Sequence, residues 1–311
     1  MSASSPFSEA WLTGPGDLKF YTRTYSANAG APKAVALFVH GFAEHVGRYD
    51  HAFPVWAERG ITVFAYDQRG FGRTALDPQR SKQSAYAVTS WKDQFGDIEW
   101  WLKHLKKEYP TQPLFLVGHS MGGGLALAFP TRTQPPPSQE TVGLLSGVIA
   151  TSPLLLQTFP ASKLLRWAGG KARFIAPSMT IAAPVVIEDL SHNQAANEAN
   201  AKDPLIIQKG SLSGLHDMLS GGEQLLQSDF QHWPRTLPVL IVHGTDDRVT
   251  SHKASQELYN KLTVEDKKLS LYEGGYHELV HEPDGVKEKF TDELISWVEA
   301  HTGTQPDASK L

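Results

Sequence analysis

The sequence predicts an α/β fold, a mostly parallel central sheet flanked by helices, with an inserted and mainly helical cap. Short apolar runs of strand length alternate with longer runs of helical spacing along most of the chain. Such alternation favours parallel pairing, because each crossover helix covers one face of the sheet. It stops between residues 152 and 233, where apolar clusters are separated by proline, glycine and polar runs. Residues 1–151 and 234–311 are therefore predicted to form the core domain and residues 152–233 the cap.

The individual elements are predicted from the spacing of apolar residues. Residues 90–109 have the clearest helical spacing, with Trp91, Phe95 and Ile98 on one face and Pro110 as a stop. The predicted strands are residues 18–25, 34–39, 61–66, 113–117, 144–150, 238–242 and 269–272, and the other predicted helices are residues 49–59, 253–262 and 286–300. At 311 residues, of which 41% are hydrophobic, the chain can bury the core of one such domain with an insertion.

The segment GHSMGGG, residues 118–124, joins a predicted strand to the start of a helix. Glycines two positions before and after Ser120 suit a turn too tight for larger side chains. The first turn of the helix offers free N–H groups and the positive end of the helix dipole to a developing negative charge. A serine at this position of Gly-x-Ser-x-Gly is predicted to be the nucleophile of a strand–turn–helix elbow.

An acid and a histidine follow in the chain order that this elbow requires. Asp247 comes after the predicted strand at residues 238–242, and His277 comes after the one at residues 269–272. Both lie just past the carboxyl end of a strand, the edge at which open α/β sheets place their chemistry. Ser, then acid, then His is the order of the α/β-hydrolases. The pattern H-G-x-x-D favours Asp247 as the acid, with the adjacent Asp246 as the alternative or as a turn residue.

The loop HGFAEHVGRY, residues 40–49, follows the predicted strand at residues 34–39. In α/β-hydrolases this loop supplies one backbone N–H of the oxyanion hole, and the residue after the nucleophile supplies the other. The pattern therefore assigns the backbone amides of Phe42 and Met121, each typically worth about 3–4 kcal/mol of transition-state stabilisation. Asp67 and Arg69, in the next loop, are expected to brace loops through charge-assisted hydrogen bonds.

Composition argues against several classes of function and compartment. The formal net charge is −4 and no long basic block occurs, so no nucleic-acid partner is expected. The chain has no cysteine, which excludes a disulfide framework and a thiol nucleophile. Residues 1–14 do not resemble a secretory signal, and the most apolar window, residues 142–159, is too mixed for a membrane span. We expect a cytoplasmic protein that uses no metal or organic cofactor.

Five segments together resemble the monoacylglycerol lipases of the α/β-hydrolase superfamily, especially fungal members: HGFAEHVGRY, YDQRGFGR, GHSMGGG, HGTDDRV and YEGGYHELVHE. The resemblance covers residues 14–302 and is weakest in the cap. It implies hydrolysis of a monoacylglycerol ester through an acyl-enzyme. Ser120 would be the nucleophile, His277 the base and Asp247 its orienting acid.

The resemblance also implies that Glu44, Arg48 and His119 line the end of the pocket that receives glycerol. Their purely structural interpretation is a Glu44–Arg48 pair and a histidine bonded within its turn. One departure concerns the cap: many members carry a tyrosine three residues before Asp-Pro-Leu, and this chain has Asn200 there. A cap hydroxyl contact to glycerol therefore does not carry over.

Other functions remain as alternatives. HELVH, residues 277–281, matches the H-E-x-x-H signature of zinc proteases, with Glu299 as a candidate third ligand. That site needs a long helix, whereas Gly275 precedes the motif, Pro283 follows it and the Ser120 elbow would have no role. Within the serine hydrolases, lysophospholipase, carboxylesterase or thioesterase activity are alternatives. A non-catalytic, hydrolase-like binding protein is the alternative from another class.

The cap is also a candidate for peripheral contact with a membrane or lipid droplet. PASKLLRW, residues 160–167, is predicted to form a short helix because Pro160 suits a first turn. Leu164 and Trp167 would face the lipid while two basic residues meet anionic head groups. The alternative is that these apolar side chains pack onto the core domain.

Overall fold

The computed structural model describes residues 5–28, 30–160 and 169–303. Its strands are β1 (Ser8–Thr13), β2 (Lys19–Tyr25), β3 (Ala34–Val39), β4 (Ile61–Tyr66), β5 (Leu114–His119), β6 (Leu145–Thr151), β7 (Thr180–Ala182), β8 (Lys209–Ser211), β9 (Val239–Gly244) and β10 (Lys267–Tyr272). Eight of them form one sheet in the order β1-β2-β4-β3-β5-β6-β9-β10, and β7 pairs with β8 separately. Pairing is parallel from β4 to β10 in this order, whereas β1 and β2 are antiparallel to their neighbours. The predicted mostly parallel sheet is confirmed.

Helices cover both faces of this sheet. Those with both ends inside the described residues are α1 (Phe53–Glu58), α2 (Gly72–Leu76), α3 (Trp91–Glu108), α4 (Met121–Ala128), α5 (Gln139–Val142), α6 (Gln194–Lys202), α7 (Leu212–Gln227), α8 (His252–Lys261) and α9 (Val286–Ala300). Polar caps set several starts: Ser90, Ser211 and Ser251 each accept a hydrogen bond from a first-turn amide. None of the helices described here is both long enough and apolar enough to span a bilayer.

Two apolar layers form the core, one on each side of the sheet. Successive residues of β3 alternate between them: Val35, Leu37 and Val39 pack with α3, α4 and α8, while Ala36 and Phe38 pack with α1 and α9. Every residue of β3, β4 and β5 is buried. Strands covered on both faces appear as continuous apolar runs rather than alternating ones, which is why these runs were visible in the sequence.

The first strand was not predicted. β1 pairs antiparallel with β2, and all of its side chains are exposed or half-buried. An edge strand of this kind has no buried face, so it leaves no apolar pattern in the sequence.

The region predicted as a cap has two kinds of structure among its described residues. Part of α7 packs on the core: a Cβ at Gly221 would lie within 2.5 Å of the Trp91 ring, and Leu225 and Leu226 belong to the core layer of α3 and α4. Residues 174–187, in contrast, are mostly exposed and include β7. The boundaries of the cap, residues 152–233, stay a prediction.

Candidate active site

The turn between β5 and α4 holds Ser120 in a strained backbone conformation. Its φ is 53° and its ψ is −116°, a combination that costs a non-glycine residue about 1–3 kcal/mol. Its backbone N–H donates to Thr151 O at 2.9 Å. A Cβ at Gly118 would lie 2.1 Å from Gly122 O, and a Cβ at Gly122 would lie 2.1 Å from Val39 O. Only glycine fits either position, so the motif is dictated by the close approach of three backbone segments.

Ser120, His277 and Asp247 lie in one hydrogen-bonded line. Ser120 Oγ is 3.0 Å from His277 Nε2, and His277 Nδ1 is 2.7 Å from Asp247 Oδ2. All three residues are buried, at the carboxyl ends of β5, β10 and β9 respectively. Asp246 is exposed, and the histidine contacts Asp247 instead. The structure therefore brings the sequence-predicted residues into the geometry of a nucleophile, a base and an orienting acid.

The carboxylate of Asp247 is surrounded by donors. Its Oδ1 accepts the backbone N–H groups of Val249 at 2.7 Å and Thr250 at 2.8 Å. Its Oδ2 accepts Thr250 Oγ1 at 2.8 Å and His243 Nε2 at 3.0 Å, in addition to His277. Burial alone would raise the pKa of Asp247, but the two histidines and these hydrogen bonds hold it well below its usual range. The carboxylate therefore stays charged beside His277.

His243 is a contact of this site that the sequence reasoning missed. It is fully buried and sits between Asp247 and Ser255, whose Oγ is 2.8 Å from His243 Nδ1. Because Nε2 also lies 3.1 Å from Thr250 O, it faces two acceptors and donates to them. The available signal was the histidine that opens HGTDD, at the end of β9 and four residues before the acid.

The two histidines next to Ser120 are shifted in opposite directions. Burial would lower the pKa of His277, but the Asp247 carboxylate outweighs it and raises that pKa above its ordinary value of 6.5. For His119, burial and the nearby His277 lower the pKa to about 4. His119 is therefore neutral near pH 7, with its Nδ1 3.1 Å from Thr151 Oγ1.

One of the two amides predicted for the oxyanion hole, that of Phe42, belongs to the loop after β3. The other, that of Met121, belongs to the first turn of α4. Met121 begins α4, so its N–H has no partner within the helix. Within residues 5–28, 30–160 and 169–303, neither the Phe42 nor the Met121 N–H donates to a protein acceptor. The loop of Phe42 lies against the nucleophile, since a Cβ at Gly41 would be 3.1 Å from Ser120 Cβ. Phe42 and Ser120 line the same cavity.

A buried ion-pair network forms one end of this cavity. Arg48 Nη1 donates to Glu44 Oε2 at 2.9 Å and to Glu278 Oε1 at 2.6 Å, and Arg48 Nη2 donates to Glu278 Oε2 at 2.8 Å. Burial would raise the pKa of both carboxyls, but Arg48 holds that of Glu44 below and that of Glu278 well below the usual range. Two carboxylates therefore share one guanidinium, and His281 Nδ1 lies 3.0 Å from Glu278 Oε2 as a further partner of that carboxylate.

The residues implied by the resemblance thus meet at one place. Glu44, Arg48 and His119 line the cavity of Ser120, and so does Glu278, which the sequence reasoning considered only as part of a zinc motif. Its pairing with Arg48 could not be read from local sequence, because the two residues are 230 positions apart in the chain. A glutamate directly after the predicted base was the only signal available.

The H-E-x-x-H match does not fold as a zinc-protease helix. His277 and Glu278 precede a single 3-10 turn, Leu279–His281. His277 Nε2 faces Ser120, whereas His281 Nε2 lies 3.1 Å from the backbone oxygen of Arg48. The two histidines therefore do not share one helix face, as zinc ligands in this motif do. The part of the chain described in the structure contains no cluster of three or more His, Asp or Glu side chains suited to a metal ion.

A larger apolar cavity adjoins the cavity that Ser120 and Arg48 line, which is named here the catalytic cavity. The catalytic cavity has a volume of about 80 Å³ and the apolar one of about 660 Å³. Four residues line both: Phe42, Gln157, Val185 and Met218. The remaining apolar lining comes mainly from β7 with the residues after it and from α7. The site therefore has a polar end at Arg48 and an apolar end under the predicted cap.

Comparisons with known proteins identify the family to which the chain is similar. Residues 30–284 match the family model Hydrolase_4, described as serine aminopeptidase, S33. The chain is 34% identical over 285 residues to a putative monoglyceride lipase of Schizosaccharomyces pombe, covering 91% of this chain and 71% of the relative. It is 30% identical over 279 residues to the monoglyceride lipase of Mus musculus, covering 88% and 85%.

A solved structure shares the fold over nearly the whole chain. A soluble variant of monoglyceride lipase from Saccharomyces cerevisiae, in complex with a substrate analog, superposes with a TM-score of 0.84. The match covers 98% of each chain at 23% identity.

Proposed function

We propose that this chain, which belongs to the monoglyceride lipases within the serine aminopeptidase S33 family of α/β-hydrolases, cleaves the ester bond of monoacylglycerols to release fatty acid and glycerol. The observation that carries the mechanism is the line of Ser120, His277 and Asp247 at a cavity with one polar and one apolar end. This arrangement suits an ester whose alcohol is a small polyol and whose acid is a long alkyl chain.

In the first step His277 Nε2 removes the proton of Ser120 Oγ as that oxygen attacks the ester carbonyl carbon. The carbonyl oxygen becomes negative and accepts hydrogen bonds from the Phe42 and Met121 amides. Asp247 keeps Nδ1–H of His277 oriented and stabilises the imidazolium that forms. His277 then protonates the departing glycerol oxygen, leaving the acyl group on Ser120.

In the second step water takes the place of glycerol. His277 removes a proton from the water as it attacks the acyl carbonyl, and the same two amides stabilise the second oxyanion. Collapse of this intermediate returns the proton to Ser120 and releases the fatty acid. Every proton in the cycle passes through one nitrogen, His277 Nε2, which the structure places 3.0 Å from Ser120 Oγ.

The charge of the polar end favours an uncharged headgroup. Of the charged side chains that line the catalytic cavity, Glu44 and Glu278 are carboxylates and Arg48 is the cation, and Arg48 bonds to both. A phosphate near this end would lie close to two carboxylates that already engage Arg48, in a partly desolvated site where Coulomb repulsion is strong. Lysophospholipids and acyl-CoA are therefore expected to be poorer substrates than monoacylglycerols.

We further propose that the enzyme works in the cytoplasm and contacts a membrane or lipid droplet through its cap. Phe159, Phe174 and Ile175 are 74%, 73% and 89% exposed, and Met179 and Val186 are also exposed. These five residues are named here the cap patch. They lie in the predicted cap, on both sides of residues 161–168 in the chain. Leu164 and Trp167, predicted from sequence to face lipid, lie outside the described residues. A lipid surface is the favoured partner because the substrate itself resides in one.

The substrate assignment is tested by comparing kcat/KM for mono-, di- and triacylglycerols, lysophospholipids and acyl-CoA esters of the same fatty acid. Monoacylglycerol is expected to give the highest value. A higher value for a lysophospholipid or an acyl-CoA would replace the proposed substrate while leaving the serine mechanism in place.

A further inference from the structure

The residues on either side of His277 each have a backbone N–H that donates to a group outside the core sheet. The N–H of Tyr276 donates to Glu282 Oε1 at 3.0 Å, and the N–H of Glu278 donates to Leu190 O at 2.8 Å. Leu190 belongs to the predicted cap. The backbone that carries the proposed base is therefore held in part by the cap.

Glu282 is buried and joins the cap to the same segment. The residue is 2% exposed, and its Oε1 and Oε2 lie 3.2 Å and 3.0 Å from His192 Nδ1. The ring of His192 also lies against that of Tyr276, with 3.7 Å between the ring centroids. A carboxylate only accepts, so Nδ1 of His192 carries the hydrogen in this contact. One carboxylate thus contacts both a cap histidine and the residue before the proposed base.

These contacts can affect catalysis only through the position of His277. None of Tyr276, His192 and Glu282 lines the catalytic cavity, so none of them contacts a substrate there. His277 Nε2 must stay within hydrogen-bond distance of Ser120 Oγ, from which it is 3.0 Å away. A displacement of about 1 Å in such a site can cost about 100-fold in rate. Hydrogen bonds at both neighbours of His277 restrict that displacement.

We propose that Glu282 is a positioning residue for His277 and that His192 brings the cap into this role. The carboxylate fixes the N–H of Tyr276, while its bond to His192 keeps the cap segment against the loop that Leu190 also contacts. The placement of the base therefore depends on the placement of the cap. This inference rests on the proposed function, because it takes His277 as the base.

The first test compares two variants of Glu282 by their hydrolysis of 4-nitrophenyl butanoate, a soluble ester. Glu282→Met removes both acceptors at similar size and is expected to lower kcat about 10- to 100-fold, because the base is displaced. KM should stay within about twofold of the wild-type value, since Glu282 does not line the cavity. Glu282→Gln keeps an acceptor for the Tyr276 N–H, and its own N–H can donate to Nδ1 of His192, so it should recover most of the lost kcat.

His192 provides an independent variant, because its side chain is 47% exposed and can change without disturbing the core. His192→Phe keeps a ring against Tyr276 but removes the hydrogen bond to Glu282. We expect kcat to fall about three- to tenfold, which corresponds to the net worth of one hydrogen bond. In the Glu282→Met background the same change should not lower kcat further, because the bond is already absent.

A matched control is the pair of Asp266 and His301, whose Oδ2 and Nε2 are also 3.0 Å apart. Neither residue lines the catalytic or the apolar cavity. Asp266→Asn should therefore leave kcat within about twofold of wild type, even if its melting temperature falls. All variants are assayed well below their melting temperatures, so that a loss of kcat reports the geometry of the site rather than unfolding.

The possible failures can be told apart. Wild-type kcat in His192→Phe would overturn the role of the cap, and wild-type kcat in Glu282→Met would overturn the positioning role of the carboxylate. A Glu282→Gln variant as impaired as Glu282→Met, with KM raised in both, would make Glu282 a structural residue. If Glu282→Met does not fold, His192→Phe and Glu282→Gln decide between these outcomes. No turnover of 1-oleoylglycerol by wild type, with 4-nitrophenyl butanoate still hydrolysed, would overturn the proposed function instead.

Discussion

Arg48 and Glu278 are joined at two points, with Nη1 to Oε1 at 2.6 Å and Nη2 to Oε2 at 2.8 Å. Arg48 belongs to the loop of residues 40–49 that also carries the Phe42 amide, and Glu278 is the residue next to His277. The pair therefore connects the loop that carries the proposed oxyanion-hole amide to the segment that carries the proposed base. Because both side chains are at least 90% buried, this connection is shielded from water and salt.

Glu278→Gln is expected to weaken this connection without removing the chemistry. The amide keeps one acceptor for Arg48 but places an N–H against the other donor, so the free energy of unfolding should fall by about 1–3 kcal/mol. A slightly displaced base should lower kcat/KM about 10- to 100-fold. Urea unfolding and steady-state kinetics measure both effects. Glu288→Gln, at an exposed residue of α9, is the control and should change neither.

The same variant separates the serine mechanism from a zinc protease. A zinc protease would use Glu278 as its general base, and its loss would be as damaging as loss of the nucleophile. Exhaustive chelation is expected to leave ester hydrolysis unchanged. Activity that is lost on chelation and regained with zinc would contradict the assignment of Ser120.

The two adjacent aspartates are expected to behave very differently. Asp247→Asn should lower kcat by about 10⁴, the effect of removing the acid that fixes the histidine tautomer in a serine triad. The kcat of Asp246→Asn should stay within about threefold of the wild-type value, as is usual for an exposed residue outside the hydrogen-bonded line of Ser120, His277 and Asp247. Steady-state kinetics on one soluble ester suffices. The opposite order would transfer the role of the acid to Asp246.

The pH dependence of kcat/KM should report the raised pKa of His277. His277 acts as a base only when neutral, and Asp247 raises its pKa above 6.5, so kcat/KM should fall as the pH drops through a midpoint above 6.5. His119, with a pKa of about 4, adds no limb near neutrality. The residual activity of Asp247→Asn should have its midpoint at lower pH, because the carboxylate charge that raised the pKa of His277 is gone. A wild-type midpoint below 6.5 would contradict this account.

Contact with lipid is tested on the cap patch. Changing Phe174 and Ile175 together to Ser should weaken binding to liposomes and slow hydrolysis of long-chain substrates presented in them, while a soluble short-chain ester is hydrolysed at the wild-type rate. Trp100→Ser, at a residue of α3 that is 46% exposed, is the control for loss of surface hydrophobicity. Equal liposome binding by the double variant and wild type would rule out docking through these residues.

Much of the sheet was predictable because its strands are buried on both faces. The bounds predicted for β3 and β4, residues 34–39 and 61–66, coincide with the structure, as do those of α9. The position of Ser120 was predictable for a local reason, since its turn admits only glycine at Gly118 and Gly122. Local sterics and local burial both leave a mark within a few residues of the chain.

Contacts between distant segments left no such mark. Glu278 is paired with Arg48 across 230 residues, and His243 reaches Asp247 only because β9 ends in a tight turn. Asn200 appeared in the sequence only as a departure from the tyrosine expected there. Its place at the cavity of Ser120, with an Oδ1 that has no hydrogen-bond partner among the described residues, is decided by three-dimensional packing. Sequence reasoning therefore identified the candidate triad better than the buried contacts that surround it.

The most direct test is the release of oleate from 1-oleoylglycerol by wild-type enzyme and by Ser120→Ala, with circular dichroism to show that both are folded. The account predicts turnover by the wild type, a loss of about 10⁶ in kcat for the variant, and labelling of Ser120 by a fluorophosphonate in the wild type alone. Substantial oleate release by folded Ser120→Ala, or no turnover of 1-oleoylglycerol by folded wild type, would contradict it.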